Sequence, residues 1–167
     1  MSEKVQGSSS ILNIINGLLL QREDFQESIY WRRETVLAND LVIRQGENGN
    51  DVFLLETGRV RVLGNIELGP TRTVRPGVKD LGPGEVFGEL ALFDAGLRSA
   101  SVMAVESSEL IRIDGDRLLT YLESHSDIGF LLCRELITVV VGRLRDADKK
   151  MFSLLAWGLR TAGDGKE

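Results

Sequence analysis

The chain has 167 residues, and its 20 basic against 25 acidic side chains leave a formal charge of -5, a balance that argues against a general nucleic-acid binder with a net basic face. At 43% hydrophobic and 27% charged residues it has the composition of a globular protein, long enough for one domain with a core and peripheral helices. One cysteine (Cys133) and one histidine (His125) allow no intramolecular disulfide and no nitrogen or sulfur metal site within one chain, and no Ser-His-Asp or Cys-His arrangement without His125.

Taken in chain order, residues 8–33 read as helical. "SSILNIINGLLLQ" places Ile11, Leu12, Ile14, Ile15, Leu18 and Leu19 on one 3.6-residue face, with serines suited to cap its start and Gly17 weakening it. "REDFQESIYWRR" reads as a second amphipathic piece carrying Phe25, Ile29 and Tyr30. From Glu34 the texture changes to short β-branched segments, "ETVLA", "LVIRQ", "DVFLLE", "RVRVLG", "TRTVRP" and "VKDLG", separated by Asn- and Gly-rich turns: a run of antiparallel strands. A short helix, "ELALF", and two strands, "ASVMAVE" and "ELIRID", follow. The last third is helical, first "DGDRLLTYLESHS" with Asp114 and Asp116 as capping residues, then some thirty proline-free residues containing Cys133, expected as buried packing. His125, in a polar helix end, is expected at the surface. The apolar runs are too short to cross a bilayer, and the start has no basic region leading into a signal peptide; a cytoplasmic protein is expected.

The stretch "FGELALFDAGLRSASV", residues 87–102, concentrates the chemistry. Gly82, Gly84 and Gly88 precede the short helix and let backbone approach a ligand closely. Small residues at Ala91, Ala95, Ser99, Ala100 and Ser101 leave room, and Arg98 offers a planar fork for a phosphate. Glu89 would repel that phosphate, so its natural partner is a donor such as a sugar hydroxyl. The residues alone leave the bland alternative standing, with Glu89 favoured by the helix dipole and Arg98 on the surface.

Residues 34–150 resemble a cyclic nucleotide-binding domain of the kind found in the bacterial catabolite activator, kinase regulatory subunits and nucleotide-gated channels. "QGENGNDVFLLETGRVRV" resembles the early strands, with Gly46, Gly49 and Gly58 at turn positions, and "LGPGEVFGELALFDAGLRSASVMAVESSELIRI" the phosphate-binding cassette and the strands after it. Departures are Gly96-Leu97 before the arginine, the long connection "LGNIELGPTRTVRPGVKDLG", and Asn39 where glycine is common; Asn tolerates the same left-handed backbone. The resemblance implies an α+β fold, an antiparallel β-roll of the double-stranded β-helix type between N-terminal helices and a long C-terminal helix. It divides the chain into a helical segment 1–33, the β-roll 34–125 with its cassette at 82–102, a lid or dimer helix 126–158 and a flexible tail 159–167. It implies that Glu89 accepts from the ribose 2′-hydroxyl while Gly88 admits the sugar. Arg98 pairs with the cyclic phosphate, helped by main-chain N–H groups near Ala91 and Ser99, and Phe87, Leu90, Ala100 and Ser101 complete the site. The ligand is cAMP or cGMP, with cAMP favoured, and no cofactor and no metal is needed.

Along the last helix Ile137, Val140, Leu144, Ala147, Met151 and Leu154 recur in a heptad-like seam, which either packs on the chain's own roll or forms a homodimer helix. In the family this helix reaches over the base, and Arg145, Ala147 and Asp148 are the expected base lid. The 17 residues after Lys150 are too few for a helix-turn-helix domain, so no direct DNA binding is expected. The expected function is a non-catalytic sensor that signals through its C-terminal helix to an effector protein. The alternative is an interaction module on the same fold that binds no nucleotide.

Overall fold

The computed structural model describes residues 11–64, 66–67, 73–74, 77–94 and 97–163. The expected serine cap at Ser8–Ser10, most of the "TRTVRP" strand, Ala95 and Gly96, and the end of the tail lie outside the described residues. The architecture is the α+β roll expected from the sequence. The strands are β1 (Trp31–Val36), β2 (Leu41–Ile43), β3 (Val52–Thr57), β4 (Val60–Leu63), β5 (Ile66–Glu67), β6 (Thr73–Val74), β7 (Gly77–Leu81), β8 (Val86–Phe87), β9 (Ser101–Ala104) and β10 (Ser108–Ile113). The helices are α1 (Ile14–Leu19), α2 (Ala91–Asp94), α3 (Gly115–Ser124) and α4 (Ser126–Gly163). Among the described residues no helix is long and apolar enough to cross a membrane.

Two antiparallel four-stranded sheets, ordered β1-β10-β3-β8 and β2-β9-β4-β7, face each other, and β5 and β6 form a separate ribbon. Ile43, Phe53, Leu55, Val60, Leu81, Phe87, Val102 and Leu110 close the space between the sheets. Phe53 and Phe87 stack there with ring centroids 5.1 Å apart. A second core forms where α1, α3 and the first turns of α4 cover the β1-β10-β3-β8 sheet, through Ile11, Ile15, Leu19, Ile111, Leu118, Ile128, Leu132 and Leu136 among others. Burying each such aliphatic side chain contributes roughly 1.5–3 kcal/mol. Tight turns are placed where backbone freedom permits them: Gly58 has φ +88 between β3 and β4, and Asn39 takes φ +73 between β1 and β2.

The N-terminal expectation needs correction. α1 is wound as a π-helix, its last turn closed by Leu20 N–H donating to Ile15 five residues back. Ile11, Ile14, Ile15 and Leu19 are its buried side. The expected second helix does not form. Residues 20–30 are turns, Ser28 sits at φ +66, and Trp31 to Arg33 already belong to β1. Pairing of all six β1 residues with β10, from Trp31 against Ile113 to Val36 against Ser108, outweighs the weak helical periodicity. The roll therefore begins three residues before Glu34. Strand β8 lies in a stretch read only as a turn. At the other end α4 runs unbroken to Gly163, past Gly142 and Gly158 and beyond the expected limit at residue 158. Asp114 caps α3 as expected, accepting from Arg117 N–H. Cys133 is half-buried rather than buried. His125 is likewise half-buried and partnered, not a plain surface residue.

Candidate functional site

Two cavities adjoin the cassette. The smaller, about 90 Å³, is lined by Phe87, Gly88, Glu89, Leu90, Ala91, Arg98, Ser99 and Ala100 of the cassette, with Arg143 reaching in from α4. The larger, about 830 Å³, shares Glu89, Leu90, Ser99 and Arg143 with it and continues between β4, β7 and α4. Eight of the nine cassette residues singled out from the sequence thus meet at one place.

The exception is Ser101. It is buried, and its hydroxyl accepts from Gln45 N–H at 3.0 Å. As the first residue of β9 it ties the turn before β3 to the cassette and lines neither cavity. The same turn is fastened by Gly46 N–H to the Arg98 carbonyl and Arg98 N–H to the Glu47 carbonyl, both 2.9 Å. Two main-chain bonds therefore aim the Arg98 side chain inward.

Arg98 is only 8% exposed. Its Nη1 donates to the Gly88 carbonyl at 3.1 Å, and its guanidinium lies over the Phe53 ring. The carboxylate whose charge it feels, Asp51, is already held at 2.5 Å by Arg112, which also reaches Glu34 at 3.4 Å. Burial consequently dominates and pushes the Arg98 guanidinium below the usual arginine range; Asp51 opposes that shift and Arg112 adds to it. A sheltered cation with no carboxylate hydrogen-bonded to it among the described residues is an anion site in waiting.

Gly88 makes that geometry possible. It has φ +78, and a Cβ there would stand 2.9 Å from both Arg98 Nη1 and the Asp51 carbonyl. Gly49 packs under the same guanidinium, where a Cβ would fall 3.1 Å from Nε. Replacing Gly88 by alanine adds a left-handed backbone cost of about 1–2 kcal/mol and forces Arg98 aside. Gly88→Ala is therefore expected to lower the melting temperature and to weaken anion binding at least tenfold, measured by thermal unfolding and calorimetry; unchanged binding would remove Gly88 from the site.

Glu89 is 2% exposed and is not free. Arg143 Nη1 stands 2.6 Å from its Oε1, and Arg143 Nη2 donates to the Val86 carbonyl. Sequence reasoning missed Arg143. Its signal is a basic residue flanking the apolar line Val140–Leu144–Ala147, on a chain with a buried carboxylate in need of a partner. Of the expected base lid, Ala147 lines the larger cavity. Arg145 instead lines a groove on the other flank of α4 with Ile137 and Val141, and Asp148 lines neither cassette cavity. Each residue advances a helix by about 100°, so a lid anchored by Arg143 puts Ala147 inward and turns Arg145 away. Val140, Leu144, Ala147, Met151 and Leu154 face the chain's own roll across the larger cavity, with Val62, Val78, Leu81 and Leu90 opposite. Lys150 Nζ donates to the Val78 carbonyl at 2.9 Å and fastens the lid further along.

Two cations and one carboxylate line the smaller cavity, a net charge of +1 beside an apolar chamber. The fold and this site define the class: a β-roll with a sheltered cationic pocket that opens into an apolar chamber beneath its C-terminal helix. The chain belongs to the cyclic nucleotide-binding domain family, which matches residues 33–125. It is 32% identical over 138 residues to the cyclic AMP receptor protein of Thermus thermophilus, covering 83% of this chain and 60% of that one. The crystal structure of the Thermus thermophilus catabolite activator protein superposes with a TM-score of 0.62 at 32% identity, over 75% of this chain and 55% of that one. A cyclic nucleotide-binding domain from Methylobacillus flagellatus shares the fold at TM-score 0.69 and 22% identity, covering 87% and 83%. The regulatory domain of Toxoplasma gondii PKA, crystallised with cAMP, matches at TM-score 0.51 and 25% identity over 68% and 44%. The chain spans about 60% of the Thermus receptor's length.

Proposed function

We propose that the chain is a non-catalytic sensor that binds a cyclic nucleotide, cAMP in preference to cGMP, and signals through α4. The observation that carries this reading is Arg98, a sheltered cation; the carboxylate whose charge it feels, Asp51, is committed to Arg112. A cyclic phosphodiester carries one negative charge, matching the net +1 of the cavity lining. Glu89 then accepts from the ribose 2′-hydroxyl, and the base enters the larger, mostly apolar chamber beneath Ala147 and Leu144. The lean to cAMP rests on relatives named for cAMP; Ser99, which lines both cavities, offers a hydroxyl that serves a phosphate or a guanine amino group and does not decide the base.

Arg143 couples the site to the lid, since the carboxylate that meets the sugar also holds α4. A ligand that changes the Glu89–Arg143 contact shifts α4 between positions by its differential affinity for them. An effector protein reads that position, and no cofactor takes part. The exposed apolar residues of α4 that do not line the larger cavity, Ile137, Phe152 and Leu159, support a homodimer built on this helix.

The test is titration calorimetry of protein stripped of ligand by unfolding and refolding, with cAMP and cGMP in parallel. The expected result is micromolar or tighter binding of cAMP and at least tenfold weaker binding of cGMP. Equal or reversed affinities overturn the base preference. No heat and no thermal shift with either, from folded protein, overturns the sensor reading in favour of an interaction module.

A further inference from the structure

His125 ends α3, and Ser126 begins α4. Its backbone N–H donates to the Leu122 carbonyl at 3.1 Å, three residues back. The Tyr121 carbonyl, which a continuing helix would have paired with that N–H, lies instead 2.9 Å from the His125 ring at Nδ1. A carbonyl oxygen only accepts, so Nδ1 carries a proton. The other ring nitrogen, Nε2, stands 3.2 Å from Asp24 Oδ2.

An ionised carboxylate also only accepts. A neutral ring keeps only one of these protons and turns the other nitrogen's lone pair onto an acceptor, Nε2 onto Asp24 or Nδ1 onto the Tyr121 carbonyl. Both contacts hold together only when both nitrogens are protonated. Asp24 keeps its charge, because Arg22 Nε at 3.0 Å and the Tyr121 hydroxyl at 2.9 Å donate to it and hold its carboxyl at about 2. The Tyr121 ring stacks on the imidazole with centroids 4.0 Å apart, and the C-terminal end of a helix favours a cation.

We infer that His125 is a pH-operated latch: protonated, it fastens residues 20–30 to the joint between α3 and α4, and deprotonated, it releases them. The charged and titratable groups around the ring are Asp24 and Arg22 from the N-terminal segment and Tyr121 from α3, with Tyr30 and with Asp116 and Arg117 of α3 lining the same cavity. Among the described residues no charged side chain of α4 lines it. The opposing cations are already engaged, Arg22 with Asp24 and Arg117 with the Ile29 carbonyl and Asp114.

Loss of one proton makes one of the two contacts repulsive, that with Asp24 or that with the Tyr121 carbonyl, and in either case weakens the fastening across the ring; the Asp24 side chain is 50% exposed, with a path to water. The fastened segment carries Phe25, which packs against Tyr30 and Tyr121, and its carbonyl accepts from Trp31 Nε1 at 3.0 Å. Release therefore loosens the packing of Phe25 on Tyr121 of α3, beside the joint with α4.

Hydrogen exchange of the full chain at about pH 5 and about pH 8 spans the window in which histidine changes charge and tests the latch with no nucleotide present. With labelling times matched to intrinsic exchange, peptides covering 20–31 are expected to exchange several-fold faster at the higher pH. In His125→Gln and in Asp24→Asn the two conditions are expected to agree. Wild-type exchange independent of pH, or a pH dependence that survives in His125→Gln, overturns the inference. Because His125 is the one histidine, ring nitrogen-15 shifts report it without ambiguity. A ring found neutral at about pH 5 overturns the inference even if both variants fold poorly.

Discussion

Arg98→Ala is expected to weaken cyclic nucleotide binding by about a hundred- to several-thousand-fold, while leaving the empty protein at least as stable as wild type. The first half follows from removing one partner of a sheltered ion pair, which costs roughly 3–5 kcal/mol. The second half follows from the state of Arg98 before ligand arrives. It is desolvated, its one side-chain hydrogen bond among the described residues goes to the Gly88 carbonyl, and Asp51 is spent on Arg112. Burial of a cation under those conditions is a cost, and alanine removes it. Calorimetry and thermal unfolding of the same preparations separate the two effects. An Arg98→Ala protein that binds as tightly as wild type would sink the site assignment, and one that merely unfolds would show Arg98 to be a structural residue.

Arg143→Ala is the complementary case, with the larger effect on stability. It strands Glu89, 2% exposed, as an unpaired buried carboxylate. Breaking such a pair costs about 3–5 kcal/mol. Because Arg143 keeps a quarter of its side chain in solvent, the lower end is expected, a fall of about 6–12 °C in melting temperature for a protein of this size. Glu89→Gln is expected to cost less, since the freed arginine still reaches water. The double variant Glu89→Gln/Arg143→Ala is expected to recover much of the loss, because no buried charge is left unpaired. Equal costs for the two single variants with simple additivity in the double would mean that the pair only fills space.

The fold was legible where local chemistry decides it. The β-branched runs separated by "AND", "GENGN" and "TG" mark the roll, and the turns at Asn39, Gly46 and Gly58 adopt the positive φ that their residue types permit. The cassette was legible through its resemblance to the family's pattern, "FGELAL" with an arginine nine residues after the glutamate; its glycines and small residues alone left a plain loop standing. What was not legible depends on distance in sequence. Residues 31–33 read as the end of a helix until β10, about eighty residues on, is there to pair with them. Ser101 looks like a ligand contact until Gln45 takes its hydroxyl. The rotational setting of α4 comes from Arg143 meeting Glu89, 54 positions apart, and no periodicity on the helix announces which of Arg143, Arg145 or Ala147 faces the roll.

The unbroken length of α4 has a mechanical consequence. Its 38 residues make a rod of about 57 Å at 1.5 Å per residue, rooted at Ser126 and pinned near its midpoint where Arg143 grips the cassette. If that grip and the Lys150–Val78 bond beyond it both loosen and the rod pivots at its root by about 10°, its far end sweeps about 10 Å, while the side chains at the midpoint move only half as far. In the proposed sensor the helix would then act as a lever with a built-in gain. A contact change the size of one hydrogen bond at the proposed sugar position would become a displacement at the tip large enough to make or break a docking surface.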